Sequence, residues 1–234
     1  MKKLILLIFL IFNGLLAQDI EKALKFYEGN KFAKAYELFE SLCERDSPRA
    51  CFSLGYMNEK AQGVPRDMKK AYKFYDKSCK FGYAAACSNL ALSLEENGYK
   101  DEAILAYNRA CKLGNAKSCN NIALFYEEER DSELSLYFYK KSCELKDANA
   151  CYKLGLFYEK GEWVRQNLNT ALHFYSKSCT LGLGESCYIL GRYNQLEKKD
   201  MKKAKRYFGM ACDKKHKEAC AAYREFNDRG IDIH

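Results

Sequence analysis

The chain has 234 residues, 48% hydrophobic and 30% charged, with a formal net charge of +8 and twelve cysteines. That balance excludes a disordered chain and leaves enough apolar side chains for a continuous core. Beyond residues 1–17, no run is long and apolar enough to cross a membrane, for which about 20 residues are needed.

At the N-terminus, Lys2 and Lys3 precede the apolar run Leu4 to Phe12, and Asn13 to Ala17 leads into polar Gln18 and Asp19. This order reads as a signal peptide over residues 1–17, with cleavage expected after Ala17. Loss of Lys2 and Lys3 takes the formal charge from +8 to +6. No cysteine follows the apolar run until Cys43, so no residue is placed to carry a lipid there. The expected product, residues 18–234, is soluble and secreted to the periplasm or beyond, without membrane insertion.

The stack is expected to begin at Asp19 to Asn30, after which the cysteines act as a ruler. They fall at Cys43 and Cys51, Cys79 and Cys87, Cys111 and Cys119, Cys143 and Cys151, Cys179 and Cys187, and Cys212 and Cys220, each pair eight residues apart. First members of successive pairs are separated by 36, 32, 32, 36 and 33 residues, the period of a two-helix repeat. Eight residues of unbroken helix would hold two α-carbons about 12 Å apart, whereas a disulfide spans at most about 7 Å. The chain must therefore turn within every pair.

Eight residues before each first cysteine stand Ala35, Ala71, Ala103, Ser135, Ala171 and Ala204, and four before it Phe39, Tyr75, Tyr107, Tyr139, Tyr175 and Phe208. Small and aromatic positions thus share one helical face. Three residues after each second cysteine come Leu54, Leu90, Ile122, Leu154, Leu190 and Tyr223, followed by Gly55, Ala91, Ala123, Gly155, Gly191 and Arg224. The tiny residue lets a neighbouring helix approach, and Arg224 gives the last helix the polar outer face of a cap. Gly82, Gly114 and Gly182 mark helix ends in the left-handed conformation, and Asp67, Asp131, Asn167 and Asp200 are predicted N-caps. The longer repeats carry extra residues around Gln62 to Val64 and Gly161 to Val164, with Trp163 packed on its own loop. A basic cluster, Lys198, Lys199, Lys202, Lys203, Lys205 and Arg206, reads as a solvated helix face rather than a nucleic-acid site, because no base-stacking motif accompanies it.

The predicted fold is all-α: an α/α superhelical solenoid of about six helix pairs stapled by disulfides in an oxidising compartment. Zinc is the competing use of so many thiols, but structural zinc sites set cysteines two to four residues apart. The spacing and only three histidines, His173, His216 and His234, predict no metal and no cofactor.

Segments such as Ala148 to Tyr158 (ANACYKLGLFY) and Ala171 to Gly182 (ALHFYSKSCTLG), together with the cysteine register, resemble Sel1-like repeats. These are relatives of tetratricopeptide repeats, and the resemblance extends to their cysteine-rich secreted bacterial branch, called Hcp, from about Asp19 onward. It implies β-lactam binding, and a β-lactamase activity as the alternative function. The residues give that activity no machinery: no serine is followed three residues later by lysine, and three scattered histidines cannot form a hydrolytic zinc site. His173 reads as a solvated or partly packed imidazole, and His216 as capping a turn.

A binding scaffold is therefore the leading reading, with an extended concave surface lined by the first helices of successive repeats. Its expected ligand-contacting residues flank the second cysteines: Ser88, Asn89, Lys117, Asn120, Asn121, Tyr152, Lys153, Tyr188 and Arg192. Asparagine amides suit a peptide backbone, and the three cations suit a carboxylate. Expected partners are a peptide, a peptidoglycan fragment, a β-lactam or another protein, bound by a monomer, with no nucleic acid.

Overall fold

The computed structural model describes residues 18–232, so the predicted signal peptide lies outside the described residues, as does His234. Those described form thirteen helices and no strand. They divide between two compact units, one through Asn115 and the other from Ala116 onward. The first holds α1 (residues 18–28), α2 (Phe32–Glu44), α3 (Pro48–Glu59), α4 (Met68–Lys80), α5 (Ala84–Glu96) and α6 (Lys100–Lys112). The second holds α7 (Ala116–Glu128), α8 (Ser132–Glu144), α9 (Ala148–Lys160), α10 (Leu168–Thr180), α11 (Gly184–Leu196), α12 (Met201–Asp213) and α13 (Lys217–Asp228).

All twelve cysteines are disulfide-bonded. Cys43–Cys51, Cys79–Cys87, Cys143–Cys151, Cys179–Cys187 and Cys212–Cys220 have α-carbons 4.5 to 4.8 Å apart. One local device explains the short distance. The amide three residues after each first cysteine donates to that cysteine's carbonyl, and the next amide donates to the carbonyl just before the cysteine, as in Gly182 to Cys179 (2.9 Å) and Leu183 to Ser178 (3.2 Å). This paired closure ends the helix with one left-handed residue, and the following helix starts almost at once. Gly82, Gly114 and Gly182 supply that residue at φ of 83°, 89° and 98°, as predicted. Asp46, Lys146 and Lys215 do so elsewhere, at 60°, 70° and 65°, without glycine.

The disulfides do not lie within the most extensively packed helix pairs, which are α3 with α4, α5 with α6, α7 with α8, α9 with α10 and α11 with α12. They staple the end of one such pair to the start of the next, as at α4–α5, α8–α9 and α10–α11. Inside a pair the aromatic ring four residues before the cysteine fills the notch made by the small residue. A β-carbon built on Gly55 or Gly155 would come within 2.5 Å of the ring of Tyr75 or Tyr175, and one on Gly191 within 2.7 Å of Phe208. Leu54, Ile122, Leu154, Tyr75, Tyr139, Tyr175, Phe39 and Phe208 are fully buried. Buried serines tie the pair together at its base: Ser78, Ser142 and Ser178 donate to the carbonyls of Pro48, Ala116 and Ala148 at 2.6, 2.8 and 2.8 Å.

Asp67, Asp131, Asn167 and Asp200 each accept the amide three residues on, so the four predicted caps are present. In both longer corners the cap's own amide reaches back to the preceding helix, Asp67 to Asn58 and Asn167 to Tyr158. Trp163 stacks on Phe157 of its own helix pair at 5.0 Å. One expectation needs correction: the basic cluster is not uniformly solvated. Lys205 is buried, donates to the carbonyl of Ile231 and lies over the Tyr223 ring. A lysine stem covers apolar surface while its ammonium caps a carbonyl, so Lys205 holds the C-terminal segment on α12.

Candidate ligand-binding surface

The nine predicted ligand residues lie on the helices that begin near each second cysteine. Ser88 and Asn89 sit half-buried on α5 in the first unit. In the second unit, Lys117, Asn120 and Asn121 belong to α7, Tyr152 and Lys153 to α9, and Tyr188 and Arg192 to α11. Lys117 and Arg192 are exposed, and the others are partly buried. Lys153 is not a free cation: its ammonium donates to Glu127 Oε1 at 2.8 Å.

A feature absent from the predicted set gives this surface its chemistry. The buried aromatic of each tight pair, where it is tyrosine, pushes its hydroxyl through to a glutamate at the far end of the facing helix. Tyr75 donates to Glu59 at 2.8 Å, Tyr107 to Glu95 at 2.6 Å and Tyr175 to Glu159 at 2.5 Å, with Tyr139 and Glu127 paired in the same way. The glutamates are legible in hindsight, because each stands eight residues after a second cysteine. Burial, then the bonded glutamate, pushes the phenols of Tyr75, Tyr139 and Tyr175 above the ordinary tyrosine range.

Two of the predicted residues, Tyr188 and Arg192, line a groove of about 420 Å³ in the second unit. Its floor includes Tyr175 and Glu159, and α10 and α11 contribute an apolar side through Leu168, Leu172 and Ile189. Leu168 and Leu196 are 47% and 54% exposed there. The Tyr152 ring lies tilted against that of Tyr175, with centroids 5.9 Å apart. Tyr188 is fixed by His216, whose ring lies 4.4 Å away and nearly parallel. His216, expected to cap a turn, is the N-cap of α13, Nδ1 accepting the Ala219 amide at 3.3 Å, while Nε2 sits 2.9 Å from Glu185 Oε2. The His173 ring meets the ring of Phe174 edge-on.

Among the described residues no cluster of three or more histidine, cysteine, aspartate or glutamate side chains is arranged to hold a metal ion. No helix among them is long and apolar enough to cross a membrane. The oxidised cysteines fit an oxidising compartment.

The Sel1 repeat family profile matches residues 9–28, 48–83, 116–147, 148–183 and 184–216, more than half of the chain. No match is found among curated protein sequences. Among solved structures, a Sel1 repeat protein from Oxalobacter formigenes is 22% identical, with 91% of each chain covered and a TM-score of 0.72. The Escherichia coli protein c5321, a protective antigen present in uropathogenic strains with an SLR fold, is 20% identical with a TM-score of 0.77. That match covers 95% of this chain but only about half, 51%, of the E. coli chain. Helicobacter pylori cysteine rich protein B is 30% identical over 53% of this chain and 96% of its own, with a TM-score of 0.45. The matched stretches 48–83, 116–147, 148–183 and 184–216 each span one tight helix pair, so the disulfides join adjacent repeats, and the chain belongs to the Sel1 repeat family.

Proposed function

We propose that this chain is an exported binding scaffold that holds a peptide segment of a protein or cell-wall partner along the helices α7, α9 and α11. The observation that carries this reading is the groove over Tyr175. Exposed leucines, tyrosine rings and unburied carboxylates line one concavity, and such a mixture is what a binding site offers and an ordinary solvated face does not. Rings held by stacking and by buried hydrogen bonds are pre-organised, so little ordering cost remains when a ligand arrives. Lys117, Asn120, Asn121, Tyr152, Lys153, Tyr188 and Arg192, on these three helices, are its proposed contacts, and the groove makes Tyr188 and Arg192 the first to test.

The competing activity is β-lactam hydrolysis, and one preparation separates the two. Purified oxidised protein is incubated with a chromogenic cephalosporin and, separately, passed over immobilised peptides and peptidoglycan fragments. Retention of a peptide or fragment, lost in Tyr188→Ala, together with no turnover beyond one equivalent, is the expected result. Sustained hydrolysis that disappears on reduction and unfolding, with no retention of any fragment, overturns the scaffold reading in favour of an enzyme.

A further inference from the structure

The repeated tyrosine–glutamate pairs allow one groove to be compared with its own neighbours. Each pair leaves a carboxylate at the end of a first helix, and in two repeats a lysine neutralises it. Glu59 is paired with Lys60 at 2.5 Å, and Glu127 with Lys153 at 2.8 Å. Lys153 stands two residues after its cysteine on the next first helix. One repeat further on, that position is Ile189, and Glu159 has no ion pair among the described residues. Lys160 adjoins Glu159 in sequence but is exposed and does not engage it.

The same groove adds negative charge instead of balancing it. Glu185, in the first turn of α11, and Glu197, at its end, both line it. The charged-group partner of Glu185 is the His216 ring. That ring lies between two carboxylates, with Nε2 2.9 Å from Glu185 Oε2 and Nδ1 3.2 Å from Glu218 Oε2, and Nδ1 also meets the Ala219 amide at 3.3 Å. Among the residues that line the groove, three carboxylates accompany one guanidinium, that of exposed Arg192, while the Lys198 ammonium lies 5.8 Å from the ring centroid of the lining Tyr193. The Tyr152 phenol registers the result: burial raises its pKa first, then Glu185 and Glu159 together. Leu168, Leu172 and Ile189 give the groove an apolar side, which strengthens the field of these carboxylates relative to a fully hydrated surface.

From this arrangement we infer that the groove takes a basic peptide segment, a lysine or arginine next to an aliphatic residue, rather than a carboxylate ligand. The cation would be received between Glu159 and Glu185 over tyrosine rings, which attract cations by their quadrupoles, while the neighbouring aliphatic side chain covers Leu168 and Leu172. This rests on the scaffold reading above and names the ligand chemistry of that same site.

The test uses the full oxidised chain and three fluorescent peptides of equal length, alternating leucine with lysine, with glutamate or with serine. Polarisation titration is expected to show the lysine peptide binding at least tenfold more tightly than the glutamate peptide, and weakening severalfold between about 50 and 300 mM salt as charges are screened. The pair Glu159→Gln and Glu185→Gln should lose about tenfold for the lysine peptide. Arg192→Glu should gain about threefold, an improvement that damage to the fold cannot produce. Equal or tighter binding of the glutamate or serine peptide overturns the basic-ligand inference and leaves the scaffold standing. Absence of binding by all three peptides overturns both.

Discussion

At Gly155 a hydrogen is the whole side chain because the Tyr175 ring occupies the place of a β-carbon. That ring is fully buried and its hydroxyl is committed to Glu159, so it has little room to retreat. Gly155→Ala is therefore expected to destabilise the protein by about 1–3 kcal/mol, the usual cost of overpacking, and to disturb the groove floor. Urea unfolding followed by Trp163 fluorescence would measure it, and an unchanged midpoint would show that the two helices part freely. The sequence identified Gly155 as a close-approach residue from its register, but not the ring it admits. Lys146 and Lys215 mark the opposite limit of sequence reading. A left-handed non-glycine residue costs about 1–2 kcal/mol, yet both adopt it, because a paired backbone closure and a disulfide fix the corner around them.

For the helix pairs, the tyrosine–glutamate bonds predict a response to alkali. Tyr75, Tyr139 and Tyr175 have raised pKa values, above the 10.0 of an exposed phenol. Below pH 10 the phenols are protonated in folded and unfolded chains alike, and the contribution is fully present. Above it the unfolded chain releases protons that the folded one retains, so stability falls as pH rises, by about 1.4 kcal/mol per pH unit for each such phenol. Spectrophotometric titration at 295 nm should show three tyrosines ionising only as helicity is lost. Tyr139→Phe should make the decline above pH 10 shallower by one phenol's share. Simultaneous ionisation of every tyrosine near pH 10 in a folded protein would contradict this account.

Across the molecule, the staples differ in their access to water rather than in their spacing. Cys51, Cys87, Cys119 and Cys151 are fully buried, and their companions Cys43, Cys79, Cys111 and Cys143 are nearly so. Cys212, on α12, and Cys220, on α13, are only partly buried. Thiol–disulfide exchange needs access of the attacking thiolate, so mild reductant without denaturant should open Cys212–Cys220 first. Mass mapping of alkylated peptides would show this order, and early loss of Cys143–Cys151 would refute it. Each bond closes a loop of about nine residues, worth roughly 2.6 kcal/mol in the chain-entropy treatment, so complete reduction should lower the unfolding midpoint severely.

Periodicity alone determined the two-helix repeat, the turn within every cysteine pair, four N-caps and the pairing of the cysteines, because each of these is a local consequence of spacing along the chain. The tertiary structure decided what spacing does not encode. It showed that Lys153 is spent on Glu127, that Lys205 turns inward to the Ile231 carbonyl, and that Glu159, Glu185, Tyr175 and Tyr188 converge on one groove. Charge balance at a surface depends on which helices face one another across a repeat, a distance of about thirty residues in sequence that only packing closes.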